Sequence, residues 1–235
     1  MIKLSRPPLE ASESTYLTKK THEIGASPDK KAAAANAWRN KSRDRFACIR
    51  KSLESAAPGR EYCMYCLDSQ GTAIDHFRPW SEDPLVTFLW DNYVLACSHC
   101  NSNEKRDQFP TDSSGNPILL NPFTDDPEVH LRLDHLLGER LARTQRGMTT
   151  ITVFNLNRPH LTEGRIDAWI ALEGLVMQYD DLISSGKTAK AEAYLATIHR
   201  APFGEVLEEM RRHATSSTES LSDRLREIFQ SHSEL

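Results

Sequence analysis

Two short cysteine pairs constrain this chain more than any other feature: Cys63-Met64-Tyr65-Cys66 and Cys97-Ser98-His99-Cys100, with thirty residues between them. A CxxC spacing bends the backbone so that two thiolates reach one ion, and two such pairs complete the tetrahedron that zinc prefers. A closed four-sulfur shell offers no open position, so Cys63, Cys66, Cys97 and Cys100 are expected to hold a structural zinc. A redox CxxC is the competing reading, but it calls for a single pair beside a βαβ unit, which the flanking sequence lacks. The fifth cysteine, Cys48, sits beside an apolar stripe and reads as a packed core thiol. His99 would be a ligand only by displacing a thiolate.

The compartment supports metal over disulfides. The first residues, Met1 to Pro8, contain no apolar signal core, and no apolar run approaches the roughly 20 residues of a membrane span. A cytoplasmic protein with no membrane association is therefore expected, where thiols stay reduced. Net charge is −4, yet residues 1–60 carry 13 Lys and Arg against 6 Asp and Glu. That basic excess suits either an arm along phosphates or a solvated helix face.

Three regions are expected. Residues 1–59 read as an N-terminal arm and a basic helix. Residues 1–28 look irregular, and a helix then opens with Ser27 as cap and Pro28 at its first position, ending at Pro58-Gly59. Trp38, Phe46, Ile49 and Leu53 mark its apolar face. Residues 60–110 carry the cysteine pairs. Residues 111–235 read as a β-hairpin region, including a strand over Thr149–Phe154 from its β-branched residues, followed by helices. Leu161 to Ser184 is one helix, with Ile166, Trp169, Ile170, Val176, Met177 and Ile183 on its apolar side and Ser185-Gly186 as its stop. Residues 187–199 and 203–213 are further helices. After the polar stretch Thr215 to Ser220, Leu221, Leu225, Ile228 and Phe229 suit a docking helix. The class is α+β.

Between the cysteine pairs lie Ile74-Asp75-His76-Phe77-Arg78-Pro79 and Trp90-Asp91-Asn92-Tyr93-Val94-Leu95-Ala96, and Cys100 is followed by Asn101, Asn103 and Lys105. Ala73–Phe77 and Tyr93–Ala96 suit two antiparallel strands, with a helix starting near Ser98 or Asn101. A ββα unit of this size buries too little apolar surface to hold itself together, and zinc would fix it. His76 is a candidate general base, because imidazole titrates near neutral pH. Asp75 is a hard oxygen donor for a divalent ion such as Mg²⁺. Neighbouring side chains on a regular strand point to opposite faces, and the sequence leaves open how Asp75 and His76 would serve one phosphate.

This ensemble resembles the HNH nucleases of ββα-metal fold in their four-cysteine form. More narrowly, with Leu119-Leu120-Asn121-Pro122-Phe123-Thr124-Asp125-Asp126-Pro127 and Asn155-Leu156-Asn157-Arg158-Pro159, it resembles the HNH subunit of the Septu anti-phage systems, also found with some retrons. The resemblance implies a metal-dependent endonuclease acting on DNA, with an ATPase partner in a defence complex docking on the N-terminal arm or C-terminal helices. It implies that Asn92 braces the backbone of the His76 strand, that Asn101 is the second ligand of the catalytic ion, and that Lys105 touches phosphate; Arg78 is a further candidate for a phosphate contact. A free-standing restriction or mobile-element nuclease and a non-catalytic zinc nucleic-acid-binding module remain the alternatives.

Overall fold

The computed structural model describes residues 1–216 and 221–235. The polar stretch from Thr215 lies, from residue 217 on, outside the described residues.

Residues 1–28 are not irregular: helix α1 runs Ala11–Gly25 and buries Glu13, Leu17 and Ile24. Its threonines obscure the helical pattern, since such residues compete for backbone partners elsewhere. Here Thr15 and Thr18 donate to the carbonyls of Ala11 and Ser14, which satisfies their hydroxyls within the helix. The next helix is also not continuous. Helix α2 spans Lys30–Arg39 and is capped by Asp29, which accepts from the Ala32 N–H at 2.9 Å; Ser27 is not the cap. Helix α3, Arg43–Ala56, starts afresh because the Ser42 hydroxyl caps it at the Arg45 N–H. The break brings Trp38 on α2 back against Phe46 on α3, ring centres 5.2 Å apart. On α3 the buried line is Phe46, Ile49 and Leu53. Cys48 lies off that line and is exposed, which corrects the core-thiol expectation.

Strands β1 (Ala73–His76) and β2 (Tyr93–Ala96) pair antiparallel, with Asp75 opposite Val94 and His76 opposite Tyr93. The Phe77 N–H extends the ladder to the Asn92 carbonyl at 2.8 Å. Gly71 lets the chain cross close over β2: a Cβ there would fall 2.4 Å from Leu95 Cγ. Two 3₁₀ turns, Pro84–Phe88 and Trp90–Asn92, connect the strands. The helix after β2, His99–Lys105, is wound as a π-helix, and the Arg106 N–H reaches the Asn101 carbonyl at 2.8 Å. Arg6 clasps the segment leading into β2. Its guanidinium donates to the carbonyls of Trp90, Asp91 and Tyr93 and lies over the Phe123 ring at 3.8 Å.

Beyond a short helix α4 (Pro127–His130), β3 (Leu131–Asp134) and β4 (Glu139–Ala142) form the expected hairpin. Thr149–Phe154 does not extend it. That stretch belongs to helix α5, Gln145–Phe154, capped by Thr144 and closed by Asn155 in the left-handed conformation. Tertiary contacts override the β-propensity: Gly147 packs so close to the His130 carbonyl that a Cβ would sit 2.1 Å from it, and the Thr150 hydroxyl accepts from the Leu120 N–H.

Helices α6 (Pro159–Ser184), α7 (Thr188–His199), α8 (Gly204–Thr215) and α9 (Asp223–Ser231) complete the chain. Ser185 and Gly186, the latter at φ 71°, stop α6 as expected. Ile170 is exposed, and the inner line of α6 includes Arg165. Helix α9 docks on α6 and α8 through Leu225 and Ile228. One core of packed residues runs from Met1 to Leu235, and the architecture is α+β. Among the described residues no helix is long and apolar enough to cross a membrane.

The helical part closes around a buried ion cluster. Glu205 on α8 faces Arg165 at 3.1 Å and Arg140 of β4 at 3.2 Å, all three nearly without exposure. Removing the carboxylate would leave two buried guanidiniums uncompensated. Glu205→Ala is expected to lower unfolding stability by about 3–5 kcal/mol, measured by denaturant titration.

Candidate active site and metal centre

The four sulfurs come together. Cys63, Cys66, Cys97 and Cys100 are buried, with all sulfur atoms within 4.8 Å of one another, and Cys66 and Cys97 3.9 Å apart. A regular tetrahedron with metal–sulfur bonds of about 2.3 Å has edges of about 3.8 Å, so the donor set fits zinc and is too open for a disulfide. The first pair turns on Leu67, held at φ 61° with its N–H on the Cys63 carbonyl at 2.9 Å. In the second, the Cys100 N–H points at Cys97 Sγ, 3.4 Å away. Burial pushes the Cys63 thiol well up, which would keep it protonated without an ion to offset its charge. Arg158, at the start of α6, lies against Cys100 with Nη2 4.0 Å from the sulfur. His99 turns away to Glu104 at 2.9 Å.

Asp75, His76 and Asn101 line one cleft of about 180 Å³, together with Trp38, Pro79, Trp80, Arg106 and Asp107. Asp75 and His76 are neighbours on β1, a strand with one unpaired edge in its two-stranded sheet, and both line this one cleft. The Asp75 carboxylate is buried. One oxygen accepts from the Tyr65 hydroxyl at 2.7 Å and the other from Lys105 Nζ at 3.2 Å. Burial raises its pKa, while Lys105 and Tyr65 oppose that rise.

His76 Nε2 lies 2.9 Å from the Thr87 carbonyl. A carbonyl only accepts, so Nε2 carries the proton and Nδ1 of the neutral ring keeps its lone pair. Burial, more than any other cause, pushes this imidazole down to about 4, so it is uncharged at neutral pH. Trp38 packs edge-on against the ring, centres 4.3 Å apart, and Tyr93 flanks it at 5.5 Å while also donating its hydroxyl to the Thr87 carbonyl.

Asn92 brackets a backbone unit two residues past His76. Its Oδ1 accepts from the Arg78 N–H at 2.7 Å and its Nδ2 donates to the Arg78 carbonyl at 2.9 Å. Arg78 itself is exposed, and among the described residues its side chain reaches Asp83, at 3.6 Å, and lies over the Phe109 ring, 5.9 Å from its centre. Lys105 has no exposed surface: besides Asp75 it donates to the His76 carbonyl at 2.8 Å, so a phosphate has no access to it. Sequence reasoning missed Trp38, Thr87, Tyr65 and Arg106 as parts of this site. Thr87 acts through its carbonyl, which any residue type supplies. Arg106 is in the cleft because the π-helix ends there at φ 50°.

Comparison with known proteins follows the same boundaries. Residues 63–107 match the HNH endonuclease family. The HNH stretch thus contains the four cysteines, both strands, Asp75, His76, Asn92, Asn101 and Lys105. Septu protein PtuB of Bacillus mycoides (strain KBAB4) is 33% identical over 44% of this chain and 45% of that relative, so the match spans about half the relative's length. The HNH match and this likeness agree with the resemblance drawn from the residues, and the sulfur cluster is consistent with the zinc-bearing HNH form. The motifs outside the HNH stretch have structural work. Asp125 holds the Asn121 N–H and pairs with Arg146, and Asn157 brackets the backbone of Arg140.

Elemental analysis of the purified chain is expected to find about one zinc per molecule. Cys63→Ser should lose that zinc together with cooperative thermal unfolding, whereas His76→Ala should retain both.

Proposed function

We propose that this protein is a metal-dependent endonuclease hydrolysing phosphodiester bonds of DNA, and that it is the nuclease subunit of an anti-phage defence complex with an ATPase partner. The enzyme reading is carried by one observation: a neutral imidazole, its Nε2–H held by the Thr87 carbonyl and its Nδ1 left free, shares a cleft with two hard oxygen donors, Asp75 and Asn101. Hydrolysis needs a water to lose its proton, charge on the phosphate to be offset, and help for the leaving oxygen. His76 Nδ1 takes the proton of the attacking water. Asp75 and the Asn101 amide oxygen suit a divalent ion such as Mg²⁺, which when bound supplies the charge offset at phosphate and leaving oxygen.

The chain's own residues hold this arrangement. Tyr65 and Lys105 fix the Asp75 carboxylate from two sides, so Lys105 is read as a positioning residue. Asn92 fixes the Arg78 backbone and with it the end of the His76 strand. The exposed Arg78 is the phosphate contact in this reading. A zinc module without catalysis would account for the cysteines but not for the His76–Thr87 arrangement beside Asp75. The defence role rests on the likeness to Septu protein PtuB and on the helices outside the HNH stretch, which offer a partner a surface apart from the cleft.

Cleavage of plasmid, linear and single-stranded DNA with Mg²⁺ tests the enzyme. His76→Ala should lose about 10²–10⁴-fold in rate with zinc content unchanged, and undiminished cutting by that variant would refute the assignment. Co-purification with the product of a neighbouring ATPase gene tests the partner. A chain that migrates alone and cuts at full rate without that product would count against a complex.

A further inference from the structure

The cleft at His76 shares a wall, Trp38 and Ile74, with a second space. This second space is a wider groove of about 500 Å³ that opens where α2 breaks into α3. The groove's walls carry Arg39, Lys41, Arg43 and Arg50 and no carboxylate, in a chain whose net charge is −4. Arg50 is committed to the fold: it pairs with Glu54 and donates to the carbonyls of Gly71 and Thr72. The neighbouring Arg45, outside the groove, is neutralised by Glu13 at 2.9 Å. Arg39 and Arg43 are exposed, and among the described residues neither side chain makes a hydrogen bond or ion pair. Lys41 is held in place, its Nζ 4.2 Å from the centre of the Trp38 ring and 3.2 Å from the Trp38 carbonyl. The same indole touches the His76 ring. One aromatic side chain therefore separates the free cations from the reacting centre.

We propose that this groove seats the DNA backbone flanking the bond cut at His76, with Arg39 and Arg43 as phosphate contacts and Lys41 as a fixed charge between them and the cleft. The inference rests on the nuclease reading above and adds a substrate path to it. A polyanion is the fitting occupant because unpaired guanidiniums line a concave wall with no acid to compete. DNA is the fitting polyanion because the groove adjoins the proposed phosphodiester cleft across Trp38 and Ile74. The floor of Phe46 and Ala47 accommodates the apolar edge of the sugars.

The test uses the full chain carrying His76→Ala, so that the strand stays whole, and measures binding of a fluorescent DNA duplex by anisotropy across a series of KCl concentrations. Adding Arg39→Ala and Arg43→Ala is expected to weaken binding by about tenfold or more and to reduce the slope of log K against log salt by about 2. Lys187→Ala with Lys190→Ala, at the start of α7 and outside the groove, should change neither. Zinc content and thermal unfolding show that the variants remain folded, as expected for exposed, unpaired side chains. Unchanged affinity and slope in the folded chain carrying all three substitutions would overturn the groove while cleavage by the unsubstituted chain still upholds the nuclease. An unsubstituted chain that neither binds nor cuts DNA would overturn both.

Discussion

Four thiols drawn from two segments thirty residues apart meet in a space the size of one ion, and nearly every functional residue is placed relative to that meeting point. The first pair sits just ahead of β1, and the second joins β2 to the π-helix. An ion held by these sulfurs would fix both ends of a unit whose two four-residue strands could not persist on their own. From that anchor, Tyr65, inside the first pair, reaches Asp75, and Lys105, at the end of the π-helix, reaches Asp75 and the His76 carbonyl. The buried ammonium is tolerated because each of its contacts is an oxygen, one of them charged.

The reacting side is held by backbone. The 3₁₀ turn Pro84–Phe88 presents the Thr87 carbonyl to both His76 and Tyr93, and Asn92 ties the same loop, through Val86, to Arg78. Burial keeps the imidazole neutral, and the Thr87 carbonyl fixes its proton on Nε2 without placing a carboxylate on that nitrogen.

Much of this was legible in the residues. The CxxC pairs announced the sulfur cluster through spacing alone, and the ββα unit followed from two short strand-like runs framed by those pairs. Elements failed where side-chain hydrogen bonding replaced periodicity. The threonines of α1 close onto their own helix, and Ser42 starts a helix in the middle of what reads as one. Thr149–Phe154 has the composition of a strand but is held as a helix by Thr144, Gly147 and the Leu120–Thr150 bond. At the site, Asp75, His76, Asn92 and Asn101 were picked out by type and order; three of them line one cleft and Asn92 brackets the Arg78 backbone. Lys105 was recognisable as a charge but not as a buried one, because its counter-charge lies thirty residues earlier in sequence. Thr87 was invisible, since a carbonyl leaves no mark on residue identity.

The two halves of the chain also meet at the sulfur cluster. The Phe203 N–H, at the start of α8, bonds the Leu67 carbonyl at 2.7 Å, and Arg158 of the α6 start lies against Cys100. No water-filled seam is needed to satisfy those groups, and the apolar core runs through the junction without interruption. Such a boundary couples the melting of the small metal-bound unit to that of the helices, so the chain behaves as one cooperative body whose integrity is set at its most local chemical knot.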